Sequence, residues 1–234
     1  MQLSAMKARS GWLFSFADMV TLLITFFIMM IVLNKGEITR LQKWSEVQLD
    51  RSYDHLSQQL NATALDDMFV LQRETKGLTL DLRHPEAFVR GGYALEKPVA
   101  DGFEKLAGLL ENLPVLASPH DDLPPAIRRY VEKEHYKWVA AIRIEGHTDQ
   151  SRIDPRSALR NNWFLSSMRA QSVRTVMAEN STLAPWLAIS GYGAQRPIRF
   201  EKSAEAQALN RRVTLTISAG FEKERGKEPN PESD

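Results

Sequence analysis

Trp12-Leu-Phe-Ser-Phe-Ala-Asp18-Met-Val-Thr21-Leu-Leu-Ile-Thr25-Phe-Phe-Ile-Met-Met-Ile-Val-Leu33 is an almost unbroken apolar run. At about 22 residues it is long enough to cross a ~30 Å hydrocarbon core as a helix. It holds one ionisable residue, Asp18. A carboxylate near the centre of a span costs roughly 2.5–3.5 kcal/mol on insertion scales, a cost that a plain anchor avoids by using Leu. Ser15, Thr21 and Thr25 stand three before, three after and seven after Asp18, so the four share one helix face. That face suits a partner helix or a hydrated path in which a carboxylate binds and releases a cation. The competing readings are a signal anchor whose Asp18 pairs with a basic residue of another subunit, and a cleaved signal peptide. The run is too long for the latter, and Asn34-Lys-Gly-Glu follows it instead of a small-residue cleavage site. Lys7 and Arg9 precede the span and Lys35, Arg40 and Lys43 follow it, so the basic residues leave its orientation open.

The whole chain has 234 residues, room for one span and one ordinary domain. A net charge of +1 gives no electrostatic footprint for nucleic acid. The absence of cysteine excludes a disulfide scaffold, a thiol nucleophile and a thiolate metal site. From Asn34 to about Leu71 the chain lacks Pro, and Leu41, Trp44, Leu49, Leu56, Leu60 and Leu65 recur at helical offsets. This reads as a helical linker over 34–72, with a loosely ordered tether as the alternative. Its thin apolar stripe suits pairing with an identical helix better than a monomeric core.

Beyond it, Gly77-Leu-Thr-Leu-Asp-Leu82 alternates as a half-buried strand. Pro98 to about Leu113 reads as a helix with Val99, Phe103, Leu106 and Leu110 on one face. Pro114, Pro119, Pro124 and Pro125 break up an excursion over 118–137, with a short helix from Ile127. Trp138–Ile144, Leu187–Ser190 and Arg212–Ile217 read as strands. A helix from Asn162 or its neighbour to about Glu179, and a helical turn at Ala204–Leu209, complete the pattern. This βαβαββ order predicts an α+β sandwich over 73–219, with helices on one face of a mixed sheet. The charged, Pro-containing segment 220–234 reads as disordered.

The densest polar cluster, Glu145-Gly-His-Thr-Asp149, follows a strand. Asn162, Leu165, Ser166 and Arg169 then share the first two turns of the next helix. Asp149 and Arg169 suit a zwitterion, the acid taking an ammonium and the guanidinium a carboxylate. The alternative is an internal Asp149–Arg169 bridge that fixes the loop. Glu145, His147 and Asp149 match no zinc spacing. A Ser166–His147–Asp149 triad would need a strained nucleophile turn, whereas Ser166 falls inside a helix. The expectation is therefore a binding protein with no metal, no cofactor and no hydrolase activity.

Two groups of residues resemble a known family. Phe16-Ala-Asp-Met-Val-Thr-Leu-Leu-Ile-Thr-Phe-Phe27 resembles the membrane segment of MotB-type stator subunits. Gly146-His-Thr-Asp149, Asn162-Trp-Phe-Leu-Ser-Ser-Met-Arg169, Gly191-Tyr-Gly193 and Asn210-Arg-Arg-Val213 resemble the OmpA-like peptidoglycan-binding module. The resemblance implies that Asp18, with Thr21 and Thr25, carries a transported H+ or Na+. It implies that Asp149 and Arg169 hold the diaminopimelate of a peptide stem, in a groove lined by Asn162 and Leu165. It also implies an inner-membrane homodimer inside a ring of five multi-pass MotA- or ZorA-like subunits. Residues 1–11 would then be cytoplasmic, 12–33 in lipid, and the domain in the periplasm. Three features differ from flagellar relatives: a short basic N-terminus, no separate amphipathic plug segment, and a link of about 40 residues that reaches roughly 60 Å as a helix. With the added excursion, they resemble ZorB of the Zorya anti-phage systems more closely.

Overall fold

A computed structural model describes residues 2–75, 77–83, 87–89, 91–117, 122–151, 153–154, 156 and 159–224, with side chains over 12–32 and from 39 onward. One helix, α1 (Gln2–Ala62), runs from the N-terminus through the apolar run and into the folded domain. At 61 residues its length is about 90 Å. It contains no Pro, and its apolar and straight-chain residues carry the helix across the junction between membrane segment and linker. It ends where Ala64 takes a left-handed conformation, φ 54°.

The helical spacing predicts a helix that continues to about Leu71. Instead, Phe69–Glu74 forms a strand, β1, which pairs antiparallel with β2 (Gly77–Leu82) as a hairpin. The remaining elements are α2 (Lys97–Leu110), α3 (Pro125–Lys133), β3 (Tyr136–Gly146), α4 (Asn162–Glu179), β4 (Leu187–Gly191), α5 (Ala204–Asn210) and β5 (Val213–Lys223). The five strands lie in the order β1-β2-β5-β3-β4, antiparallel except for the β3–β4 pair that α4 connects. The α+β sandwich is as expected, with one further strand at its edge. Residues 220–223, read as the start of a tail, are paired in β5. Residues 225–234 of that tail and 118–121 of the excursion lie outside the described residues.

Period-two alternation sorts the sheet. Leu78, Leu80, Ile142, Ile144, Val213, Leu215 and Ile217 are fully buried on one face, with Phe103, Leu106 and Leu110 of α2 and Val173 and Met177 of α4. The thin stripe of α1 joins this core: Leu49, Leu56, Leu60 and then Leu65 are buried in it. The expectation that the stripe serves a second copy is therefore corrected. Its apolar residues are consumed by the chain's own domain.

The excursion has a similar role. Leu41 packs with Leu123 and Val131 in a second cluster beside Tyr130, Tyr136 and Phe221. Trp44, Trp138 and Phe221 meet mutually at centroid separations of 5.2, 5.7 and 5.1 Å. The indole Nε1 of Trp138 donates to the Val115 carbonyl at 3.0 Å, and the Val115 N–H donates to Ser52 Oγ at 3.1 Å. These contacts seat the lower half of α1 on the domain. The upper half, Trp12–Val32, is wholly unburied and is long and apolar enough to cross a membrane.

Candidate functional site

Two places gather the candidate functional side chains. On α1, Asp18 is exposed in the apolar segment. Thr21 Oγ1 donates to the Ala17 carbonyl at 2.8 Å, and Thr25 Oγ1 to the Leu22 carbonyl at 2.9 Å. Both hydroxyl protons are thus returned to the helix's own backbone, as Thr in an apolar helix commonly does.

The second place lies where β3 and β4 meet the first turns of α4. Two glycines allow that approach. A Cβ on Gly146 would sit 2.0 Å from the Ser166 carbonyl oxygen, and one on Gly191 would sit 2.1 Å from Ser167 Oγ. The helix therefore lies directly on the strand ends. Its first turn is capped by Asn161, whose side chain accepts from the Phe164 N–H at 2.9 Å. Asn162, the expected groove residue, ties α4 to the loop that follows β3. It donates to the Ser151 carbonyl at 2.9 Å and reaches the Asp149 carbonyl at 3.4 Å. The Thr148 N–H donates to the Gly193 carbonyl at 2.9 Å, and the Gly193 N–H to Ser166 Oγ at 2.9 Å. Ser166 is thereby a structural tie and not a nucleophile.

Asp149 and Arg169 are both nearly buried, at 8% and 9% exposure. They do not form the internal bridge considered as the alternative. Asp149 Oδ2 instead pairs with Arg211 Nη1 at 2.8 Å, while Oδ1 accepts the Ser151 N–H at 2.9 Å. Burial works to raise the Asp149 carboxyl, but the Arg211 and Ser151 hydrogen bonds outweigh it, and the net shift is downward. Arg169 donates Nε to the Gly92 carbonyl at 3.2 Å, and its guanidinium lies 4.8 Å from the Phe88 ring centroid. Burial pushes Arg169 below its ordinary value, the Arg211 charge adds to that, and Asp149 opposes it. Asp149, Arg169 and Arg211 thus form one electrostatic cluster. Leu165 is buried in the same turn of α4, at 8% exposure.

Asn210-Arg211-Arg212 carries no local pattern that points to a role, yet it is part of the site. Asn210 accepts from the N–H groups of Ile198 and Arg199 at 2.8 and 3.1 Å and donates to the Arg199 carbonyl at 2.8 Å. Arg212 holds the Arg196 carbonyl with both terminal nitrogens at 3.3 Å. The segment pins the 196–199 loop and presents Arg211 to Asp149. The available signal was three adjacent polar residues at the boundary of a helical turn and a strand.

His147 is buried and stacks on Tyr192 at 5.4 Å, and Arg196 lies over the Tyr192 ring at 3.9 Å. Burial, with Arg212 and Arg196 nearby, lowers its pKa to about 4. It is therefore a neutral core imidazole. Among the described residues no group of His, Cys, Asp and Glu could hold a metal ion.

Comparison with known proteins agrees with this division into two parts. The OmpA family profile matches residues 123–211, which include Asp149, Asn162, Leu165, Arg169 and Arg211. A second profile, described as membrane MotB of the proton-channel complex MotA/MotB, matches residues 4–47 and so includes Asp18, Thr21 and Thr25. The two profiles thus fall separately on the folded domain and on the apolar helix. It is similar to Motility protein B of Bacillus subtilis, with 40% identity over 77 residues, 32% of this chain and 29% of that protein. That match thus spans under a third of the relative's length. It is also similar to the uncharacterized protein YtxE of Bacillus subtilis, with 22% identity over 90% of this chain and 89% of that one. Among solved structures, a protein described as MotB-like from Desulfovibrio vulgaris has a TM-score of 0.56 at 21% identity, covering 76% of this chain and 98% of that one. The last similarity establishes the fold. The chain is therefore similar to MotB in its apolar N-terminal helix and to the OmpA family in its mixed-sheet domain, whose fold the last structure shares.

Proposed function

We propose that this chain is the B subunit of an ion-driven rotary motor, anchored to peptidoglycan. The observation that carries the reading is Asp18, an acid in an apolar segment, on a helix that continues without interruption into an OmpA-family domain. Cation loading neutralises the carboxylate and release restores its charge. That alternation changes its attraction to a surrounding ring of multi-pass MotA- or ZorA-like subunits, five around two copies of this chain. The ring turns while the wall holds the domain still. The back-bonded hydroxyls of Thr21 and Thr25 keep their oxygen lone pairs, so they fit either a proton carried on Asp18 or a sodium ion ligated beside it.

Wall binding is assigned to the cluster at α4. Asp149 takes the ammonium of a diaminopimelate side chain, and Arg169 takes its carboxylate. Asn162 fixes the loop that carries Asp149, and Leu165 is buried one helical turn before Arg169. The chain then crosses the inner membrane once, with residues 1–11 in the cytoplasm and the domain in the periplasm. The continuous helix from span to domain supports a Zorya-type defence complex over a flagellar stator, since it leaves no loose tether. A passive tether between membrane and wall is the competing reading, and it makes Asp18 dispensable. The test is Asp18→Asn in the native operon. Assembly with the multi-pass partner should persist, and ion-dependent output should fall to background. Full output from the assembled variant would leave only the tether.

A further inference from the structure

Arg211 faces two ways. One terminal nitrogen holds Asp149, and the same side chain lines an open cleft of about 460 Å³ on the other side, together with Val70, Leu82, Ile198, Leu209 and Arg212. This cleft lies beyond the α4 site, with Arg211 as the shared wall. Ile198 and Leu209 are half exposed in it, at 50% and 51%. Its charge is unbalanced. Of its lining residues Arg83, Arg211 and Arg212 are basic and only Asp81, which accepts the Thr214 hydroxyl, is acidic; Arg211 is balanced from outside the cleft by Asp149, and Glu145 lies near Arg212. An apolar floor under surplus guanidinium suits a small apolar group that carries a carboxylate.

We propose that this cleft is a second subsite, which binds the small apolar residue following the diamino acid in a peptide stem, through that residue's free carboxylate. The inference rests on the assignment of Asp149 and Arg169 to the diamino acid. In the free protein Arg211 occupies the position at Asp149 that the ligand's ammonium takes. Arrival of the ammonium replaces one cation by another at the acid, so no charge is left buried and unpaired. The released guanidinium already borders the cleft and turns its fork to the next carboxylate, which Arg83 and Arg212 also attract. The side chain of that residue rests on Ile198 and Leu209. The site thereby distinguishes a stem that ends in a free carboxylate one residue past the diamino acid from one trimmed back to it.

The experiment uses the full chain in detergent micelles and three labelled probes, followed by fluorescence anisotropy. The probes are a stem tripeptide ending in diaminopimelate, the tetrapeptide with a terminal D-alanine, and that tetrapeptide as its C-terminal amide. The tetrapeptide should bind about fivefold more tightly than the tripeptide, the scale of one half-exposed charge-assisted contact. The amide should lose that advantage. Leu209→Glu, at an exposed position of α5, should lower the tetrapeptide-to-tripeptide ratio to about one, and Ile198→Ser should reduce it in the same direction. Equal binding of all three probes to the unaltered chain overturns the second subsite and leaves the diaminopimelate assignment standing. Absence of binding by every probe overturns both. A preference that the amide retains overturns the role of the carboxylate.

Discussion

Replacing Asp149 by Asn tests the electrostatic core of the proposed wall-binding site. The change keeps the side chain's size and its ability to accept the Ser151 N–H at Oδ1, but removes the charge that faces Arg211 at 2.8 Å. In the free protein the loss is small. The Arg211 side chain is 38% exposed, so solvent already screens the pair, and the stability cost should stay near ~1 kcal/mol. In the complex the loss is larger, because the acid is only 11% exposed and a bound ligand excludes water from it. A hydrogen bond to a charged group in such a place contributes about 1.5–3 kcal/mol; less the ~1 kcal/mol that the free protein also loses, the net is about 0.5–2 kcal/mol, or roughly two- to thirtyfold in affinity. Binding of diaminopimelate-containing stem tripeptide to the full chain, measured by calorimetry, should weaken by that factor with thermal unfolding little changed. Adding Arg211→Gln to the Asp149→Asn variant should have less effect than Arg211→Gln alone, since the two side chains share one interaction. Wild-type affinity in Asp149→Asn would refute the assignment of the ammonium to this acid.

Leu56→Ala should destabilise the domain by about 2–5 kcal/mol in urea unfolding, since Leu56 is fully buried in the core although it lies on the helix that leaves the domain. An exposed-type effect under about 0.5 kcal/mol would mean that α1 is not part of the fold. The His147 ring gives a pH dependence of defined sign. Its folded pKa of about 4 lies below the ordinary 6.5, so the unfolded chain binds the proton first. Its contribution to stability is complete above pH 6.5 and declines as pH falls toward 4, by up to about 3 kcal/mol. His147→Phe should flatten that part of a stability–pH curve, and an unchanged curve would move the cause elsewhere.

Much of the fold was legible because the strands of the central sheet carry their own period. Val213, Leu215 and Ile217 alternate with Thr214 and Thr216, and α2 and α4 fall close to their expected bounds. The edge strand β1 was not legible. Leu65 and Phe69 continue a helical spacing on paper, and only the left-handed turn at Ala64 and the hairpin to β2 break it. The α4 site was legible in part. Asp149, Asn162 and Arg169 sit on short-range patterns that a reader can project onto one helix end. Arg211 does not, because it reaches Asp149 across 62 positions of sequence, and no local period reports such a pair.

The aromatic cluster around Trp44 bears on how the two sites cooperate. On the proposed reading, force generated against Asp18 has to reach the α4 cluster through α1. A flexible link would absorb rotation, because each free backbone dihedral offers a low-energy way to turn without moving the domain. Here α1 is a single helix of 61 residues, and its stretch from Leu41 to Leu60 enters the domain as a core element. The Trp44–Trp138–Phe221 contacts, the Ser52–Val115 hydrogen bond and the Asp50–Arg73 pair at 2.8 Å join it to β3, β5, the 114–116 turn and β1. Twisting the helix against the domain would have to break several of these contacts at once. The excursion that carries α3 is therefore no ornament on an OmpA-type fold. It closes the second apolar cluster around Leu41, at the point where the helix leaves the domain for the membrane.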